Sequence, residues 1–439
     1  MLNIELELLH WTDLDEERRQ QVLRRPASRQ TDIWASVNRI IGQIRTGGDA
    51  ALRELTLQLD GVEPQAFALE SGMLQAAEQQ AEAGLLRALG DASARIETFH
   101  SADIPANCSV ETAPGLICQV RYQALSPVGL YIPGGSAPLV STVLMLSIPA
   151  RLAGCREVVM FSPPGKDGWI SGAVLAAAQL CGVHRVFCGG GAQAIAAMAY
   201  GTETVPRCSK IFGPGNAWVT EAKQQVSQDP QGAAIDMPAG PSEVLVIADQ
   251  SANPEFIAWD LMSQAEHGPD SQVILLTDSS RLASAVIEQL TALAPATARA
   301  AILGQSLAEA RIILLDSLAE ALLLSNDYAP EHLIINTQNA DELAQQVEHA
   351  GSVFIGPWTP ESLGDYCSGT NHVLPTYGWA RSHGALGVGD FMRRMTFQQA
   401  SRGALAQVGP TAETLAAVEG LEAHGMAVSA RLAQQGDRQ

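Results

Sequence analysis

"VGLYIPGGSAPLVSTVLMLSIPARLAGCREVVMF", residues 128–161, reads as a short apolar strand, a Gly/Pro turn, an Ala/Leu-rich helix and the next strand. The same unit recurs through residue 226. Its strand-like segments "VGLYI", "EVVMF", "RVFCG" and "KIFG" are centred near Gly129, Val158, Val186 and Ile211, which gives spacings of 29, 28 and 25 residues. That is the length of a βα unit returning to a parallel neighbour, so the segment predicts a doubly wound parallel sheet. After "AIDMPAGPSEV" a second series follows: "VLVIA", helix 254–267, "QVILL", helix 281–293, "RIILL", helix 317–327, "HLIIN", helix 340–349 and "SVFIG".

The expected fold class is therefore α/β, with two Rossmann-like doubly wound lobes and small helical N- and C-terminal segments. Residues 1–26 form the N-terminal segment, 131–242 one lobe, 27–130 with 243–385 the other, and 386–439 a helical C-terminal arm. The part before residue 128 is read as mainly helical, with amphipathic stretches at 31–46 and 73–99, and the strand-like "LICQVRYQA" is offered to the second lobe's sheet. From Thr396 onward the chain reads as helix again, too short for a core of its own and suited to an oligomerisation arm.

Composition narrows the partners. A chain of 439 residues has room for two or three domains of about 150 residues each, and 46% hydrophobic with 17% charged residues is globular. Forty-seven acidic against twenty-seven basic residues give a net charge of −20, which argues against nucleic acid and anionic lipid and for a small-molecule substrate. The start "MLNIELELLHWTDLDEERRQ" lacks the basic flank and apolar run of a signal peptide. The most apolar segment, "PLVSTVLMLSIPARLAG", is too short and Pro-interrupted to span a bilayer. A cytoplasmic protein is expected. Cys108, Cys118, Cys155, Cys181, Cys188, Cys208 and Cys367 are odd in number and scattered, as reduced core thiols are. One of them as a catalytic thiolate, oxidising an aldehyde through a thiohemiacetal, is the alternative.

In the first lobe each strand ends at a turn: "PGGS" 133–136, "SPPG" 162–165, "GGGAQA" 189–194 and "GPGN" 213–216. Ligands of open α/β sheets sit beyond the carboxyl ends of the strands, where glycine lets backbone amides approach, and a nucleotide is the natural occupant. Gly189–Ala194 fits GxGxxA, but no acid follows about twenty residues on to hold a ribose. Crossover turns need Gly and Pro in any case. Gln193 and Asn216 stand at expected helix starts, where a carboxamide caps the helix or faces a ligand.

The second lobe carries the denser chemistry. In "DLMSQAEHGPDSQVILL", 260–276, Gln264 and His267 are three apart and Gly268-Pro269 closes the helix, so the two share its last turn. They ligate something, or they cap and pack. "NDYAPEHLIIN" sets Glu331 beside His332 directly before a strand, either a solvated strand end or a proton-handling pair in which imidazole exchanges protons and carboxylate activates water. "PESLGDYCSGTNHVLPT" puts Asp365 and His372 in a Gly/Ser-rich loop too long for a simple crossover. Gln264, His267 and Asp365 together supply donors suited to a divalent metal.

Taken in order, "VGLYIPGGSAP", "GGAQAIAA", "IFGPGNAWVTEAK", "DMPAGPSEV", "QAEHGPDSQ", "PEHLI", "ESLGDYCSGTNHVLPT" and "EGLEAHGMAV" resemble the histidinol dehydrogenases along nearly the whole chain. The resemblance implies oxidation of L-histidinol to L-histidine through the bound aldehyde, with two NAD and a zinc ion, in a homodimer that exchanges its C-terminal arm. It implies that the 131–242 lobe binds NAD through Tyr131, Gln193 and Asn216, while the other lobe is catalytic. It further implies that Gln264, His267, Asp365 and His424 hold zinc and also bind substrate, with Ser242, His332 and Glu419. Glu331 and His332 do the proton chemistry, and Glu419 and His424 come from the partner subunit.

Glu419 and His424, five apart, would diverge by about 140° on a continuous helix, so a break is expected near Gly420 or Gly425. Two departures from the family are Ala329, where glycine is expected before Pro330, and a longer loop "GKDGWIS" at 165–171. His267 and Glu331-His332 precede strands and so lie on an amino edge, against the carboxyl-edge rule. Either the lobes face each other by opposite edges or the second sheet is mixed. The rival readings are a dehydrogenase of another small polar alcohol on the same scaffold and a two-lobed solute-binding or sensor protein.

Overall fold

A computed structural model describes residues 6–25, 31–134, 138–238 and 240–434. The chain divides into two compact units, Met1–Asp103 with Leu125–Phe391, and Ile104–Ala124 with Met392–Gln439.

The larger unit holds two six-stranded sheets. In the first the strand order is Ala68–Leu69, Arg185–Cys188, Val158–Ser162, Val128–Tyr131, Lys210–Phe212, Ala234–Ile235, parallel throughout except for the antiparallel Ala68–Leu69 edge. In the second it is Leu8–His10, Arg311–Leu314, Gln272–Thr277, Glu243–Ala248, His332–Asn336, Ser352–Ile355, all parallel. The expected pair of doubly wound lobes is present. In both, the first strand of the series lies centrally, with the second and third strands on one side and the fourth and fifth on the other. Both lobes therefore have a topological switch point between the first and fourth strands.

Burial explains why these segments become strands. All six positions of Glu243–Ala248 and of Gln272–Thr277 are buried, as strands covered on both faces require. Alternation then sorts the side chains between two layers. Val244, Val246, Val273 and Leu275 pack under the helices Pro254–Ala265 and Ser280–Leu293. Leu245, Ile247, Ile274 and Leu276 pack on the other face with Leu322 and Leu324 of helix Leu318–Tyr328, and with Trp11 and Val22 from the N-terminal segment.

Several expectations are corrected. Helix Thr31–Asp60, kinked at Gly48, packs on Gly191–Tyr200 and Ala217–Gln228, and Val37, Ile44 and Leu52 share a core with Phe161 and Ile195. Stretch 73–99 is two helices, Ser71–Gln80 and Ala83–Ala102, lying on Gly172–Leu180 and Val140–Ala153. The apolar faces of residues 31–102 thus pack on the outer faces of the first lobe's helices. The N-terminal segment contributes an edge strand and core side chains to the second sheet. Helix 340–349 ends at Ala344. The second sheet is not mixed.

In the smaller unit "LICQVRYQA" is the middle strand, Leu116–Ala124, of an antiparallel three-stranded sheet with Cys108–Ala113 and Met392–Ala400. It does not join the second lobe. The arm accordingly begins as a strand, and only then continues as helices Arg402–Val418 and Glu422–Ala433, which pack together through Gly409 against Val428 and Leu432. The break expected near Gly420 is there, with φ of 69° at that residue.

Because Trp11 is buried in the second lobe, Trp11→Ala is expected to lower stability toward urea by about 3–5 kcal/mol. A loosely attached tail would cost under about 0.5 kcal/mol.

Candidate active site

The first residue of the central strand of the second sheet organises the amino edge. The Glu243 N–H donates to Glu331 Oε2 at 2.7 Å, and the Glu243 carbonyl lies 3.1 Å from His332 Nδ1. A carbonyl only accepts, so Nδ1 carries the proton in that bond, and Nε2 is the nitrogen left to act. His332 Nε2 is buried without a hydrogen-bond partner, 3.5 Å from Asp365 Oδ1. The two residues read as a strand end are therefore enclosed, not solvated.

Helix Glu361–Tyr366 brings Glu361 and Asp365 to the same place, since residues four apart share a face. One donor atom each from His332, Glu361 and Asp365 lie within 4.8 Å of one another. Gln264, buried in the last turn of Pro254–Ala265, orients its carboxamide so that nitrogen donates to Glu361 Oε1 and oxygen accepts from the Glu243 N–H at 3.2 Å. Glu361 was missed in the sequence, although its spacing from Asp365 was a readable signal.

Charge is concentrated here. Burial pushes the Glu331 carboxyl up to about 8, against the pull of His332 and the Glu243 N–H. Burial likewise raises Glu361 well above the carboxylate range. For His332 burial opposes the charged form, but Glu361, Glu331 and Asp365 outweigh it and the imidazole is raised. Glu361 Oε2 has no partner. The excess buried carboxylate of Glu361 and Asp365, with the Gln264 carboxamide beside it, is a set that fits a divalent cation, and His332 Nε2 is left to exchange a proton.

The predicted ligands are placed unequally. Gln264 and Asp365 are in the cluster. His267 follows the helix end, exposed, near enough to Asp365 and His332 for their charges to act on it, but outside the converging group. Glu419, capping Arg402–Val418, and His424, on Glu422–Ala433, are exposed residues of the smaller unit. Ser242 immediately precedes Glu243, and its carbonyl accepts from Gln272 N–H at 2.9 Å.

The edge question is answered by the loop after Tyr366. His372 Nδ1 bonds the Asp365 carbonyl at 2.8 Å, and its Nε2 lies 3.1 Å from Thr142 Oγ1. Thr142 is in the first turn of Val140–Ala153, the helix entered from the carboxyl end of Val128–Tyr131. Asn371 Nδ2 also donates to the Met145 carbonyl of that helix at 2.7 Å. The amino edge of the second sheet therefore meets the carboxyl edge of the first.

On that carboxyl edge Tyr131 ends its strand with its hydroxyl accepting from Gly191 N–H at 3.1 Å. Gln193 is fully buried; its Nε2 donates to Asp60 Oδ2 at 3.4 Å and its Oε1 has no partner. Asp60 also accepts from Gly190 N–H at 3.3 Å, a role absent from the sequence reading. Asn216 resolves as a cap, its side-chain oxygen accepting from the N–H groups of Trp218 and Val219. Gly135 and Ser136 of "PGGS" lie outside the described residues. The "GPGN" turn is clamped by a buried ion pair: Lys223 donates to Asp236 and to the Gly213 carbonyl at 2.9 Å, while Gly213 N–H donates to Asp236 Oδ2 at 2.8 Å. Lys223→Met, which leaves Asp236 buried and uncompensated, is expected to cost about 3–5 kcal/mol in urea unfolding.

A family model described as histidinol dehydrogenase matches residues 23–432. The chain is 53% identical over 425 residues to a histidinol dehydrogenase of Xanthomonas campestris pv. campestris, covering 97% of this chain and 98% of that protein. To one of Vibrio parahaemolyticus it is 51% identical over 423 residues, covering 96% and 97%. The crystal structure of histidinol dehydrogenase from Elizabethkingia anophelis superposes with a TM-score of 0.94 at 41% identity, covering 98% and 99%. Whole-length agreement in sequence and fold places the chain in the histidinol dehydrogenase family.

Proposed function

We propose that this chain oxidises L-histidinol to L-histidine in two successive NAD-dependent steps through bound L-histidinaldehyde, the closing reactions of histidine biosynthesis. The observation that carries the reading is the enclosed group of Glu331, His332, Glu361, Asp365 and Gln264, on the edge that meets the first lobe's carboxyl edge. Gln264, His267, Asp365 and His424 would hold zinc, which supplies a template for the imidazole and amino groups of substrate. Tyr131, Gln193 and Asn216 would hold NAD, which would supply the hydride acceptor.

His332 Nε2 takes the hydroxyl proton as hydride leaves the alcohol carbon, giving the aldehyde. After the nucleotide is exchanged, Glu331 draws a proton from water as the water oxygen bonds to the aldehyde carbon, and His332 returns its proton to the carbonyl oxygen. A carboxyl tuned near neutrality suits that exchange. The hydrate then loses a second hydride from the same carbon with His332 again as base, leaving the carboxylic acid, which ionises to the carboxylate by losing its proton to solvent. Ser242 and Glu419 complete the grip on substrate, and fixed orientation of this kind lowers a barrier by several kcal/mol.

The reading includes a cytoplasmic homodimer whose exchanged arms bring Glu419 and His424 to the other subunit's site. Exposed apolar Leu415, Val418, Leu421 and Met426 on the arm's helices support a partner surface, and the separate helix holding His424 supports its independent aim. Among the described residues no helix is long and apolar enough to cross a membrane. A thiolate mechanism at four of the seven cysteines is disfavoured: burial raises Cys155 to about 11 and Cys181, Cys188 and Cys208 to about 12.

Purified protein stripped of metal and restored with zinc is expected to form two NADH per histidinol, and to discriminate against other small amino alcohols; equal rates on those would favour the alternative substrate. His332→Gln is expected to lower turnover by about 10²–10⁴-fold with zinc content unchanged, whereas Asp365→Ala loses the metal. Loss of zinc in His332→Gln would make that imidazole a ligand and sink its role as base.

A further inference from the structure

Arg25 stands in the N-terminal segment, far in sequence from the site, yet its guanidinium forks onto Glu243, with Nε 2.5 Å from Oε1 and Nη2 2.9 Å from Oε2. Glu243 is fully buried and also accepts from Tyr377 N–H at 3.1 Å. The same Nη2 donates to the carbonyls of Tyr328 at 2.8 Å and Ala329 at 3.3 Å, and the guanidinium stacks 3.8 Å over the Tyr328 ring. Arg25 therefore grips two pieces of backbone. One is residue 243, whose N–H and carbonyl hold Glu331 and His332. The other is the turn that delivers them.

That turn is strained. Ala329 has φ of 52°, in the left-handed region that disfavours a side chain, and is followed by Pro330 and then Glu331. A non-glycine residue persists there only when its surroundings hold it, and Arg25 supplies bonds to the carbonyls on both sides of its Cα–N link. A rigid, planar fork can fix the side chain of one strand and the carbonyls of a neighbouring turn at once; an ammonium cannot reproduce that geometry.

We propose that Arg25 is a positioning residue that, through Glu243 and the Tyr328–Ala329 turn, fixes Glu331 and His332 in the geometry of the proton transfers. The inference rests on the reading of those two residues as the proton-handling pair. Its main effect falls on turnover, because Arg25 touches neither of the groups assigned to substrate and nucleotide binding.

The zinc-loaded, full-length enzyme tests it with Arg25→Lys, which keeps the charge and loses the fork. The melting temperature and the KM values for histidinol and NAD should stay near those of the parent, while kcat falls by roughly 10–100-fold. In the double variant with His332→Gln, the Arg25→Lys loss should shrink, since one of the two groups it positions is gone. An unchanged kcat for Arg25→Lys, or a loss that persists in full in the double variant, would overturn the proposal. Should Arg25→Lys not fold, Glu243→Gln carries the same two readings. A fully active His332→Gln would instead overturn the functional reading itself, which is a separate outcome from an inert change at Arg25.

Discussion

The site depends on the peptide groups of a single residue. At the amino edge of a parallel sheet the first N–H and carbonyl of a strand lack the ladder partners that its interior enjoys, and burying them unpaired is costly. At Glu243 both are used: the N–H holds a carboxylate and the carbonyl fixes an imidazole tautomer. Strand register makes this possible, since Val244 pairs with His332 and so sets the start of one strand beside the start of the next. Backbone groups cannot rotate away, and what they hold is fixed to within the precision of the sheet.

Two lobes of the same strand order are used by opposite edges. In the first, the carboxyl edge carries Tyr131, the glycine turn 189–191 and the capped helix at Asn216, as the switch-point rule anticipates. In the second, the titratable groups crowd the amino edge, and the loop through His372 ties that edge to Thr142 of the first lobe. The rule describes where a nucleotide finds helix N-termini. It does not govern where a second lobe contributes acids and bases to the same cleft.

Electrostatics within the site run against the overall charge. A chain of net charge −20 nevertheless buries Glu331, Glu361 and most of Asp365 together. Such a grouping is unfavourable by itself, and Glu361 Oε2 and His332 Nε2 are left without partners. The carboxylates fit a cation, and the fork of Arg25 on Glu243 keeps a further buried carboxylate out of the cluster's balance.

Much of this was legible in the chain. Hydrophobic runs bounded by Gly and Pro located both sets of parallel strands, because fully covered strands are apolar along most of their length. Glu331 and His332 were recognisable as chemistry beside a strand end, Gln264 as a donor in a helix's last turn and Asp365 as one in a loop that is in fact the helix Glu361–Tyr366, and the break at Gly420 followed from helix geometry. By contrast, Glu361, Asp60 and Arg25 went unread, since each acts on a residue distant in sequence, and no local pattern marks a side chain that works through another's backbone. The packing of 31–102 on the first lobe was also beyond reach, because an amphipathic helix records that it has a buried face and not which surface receives it. Sequence alone determined the repeating βα order, the candidate groups and the family resemblance. Only the tertiary structure decided which edges meet, which lobe the early helices cover and which buried atoms lack partners, for these depend on distances between segments that a linear chain does not encode locally.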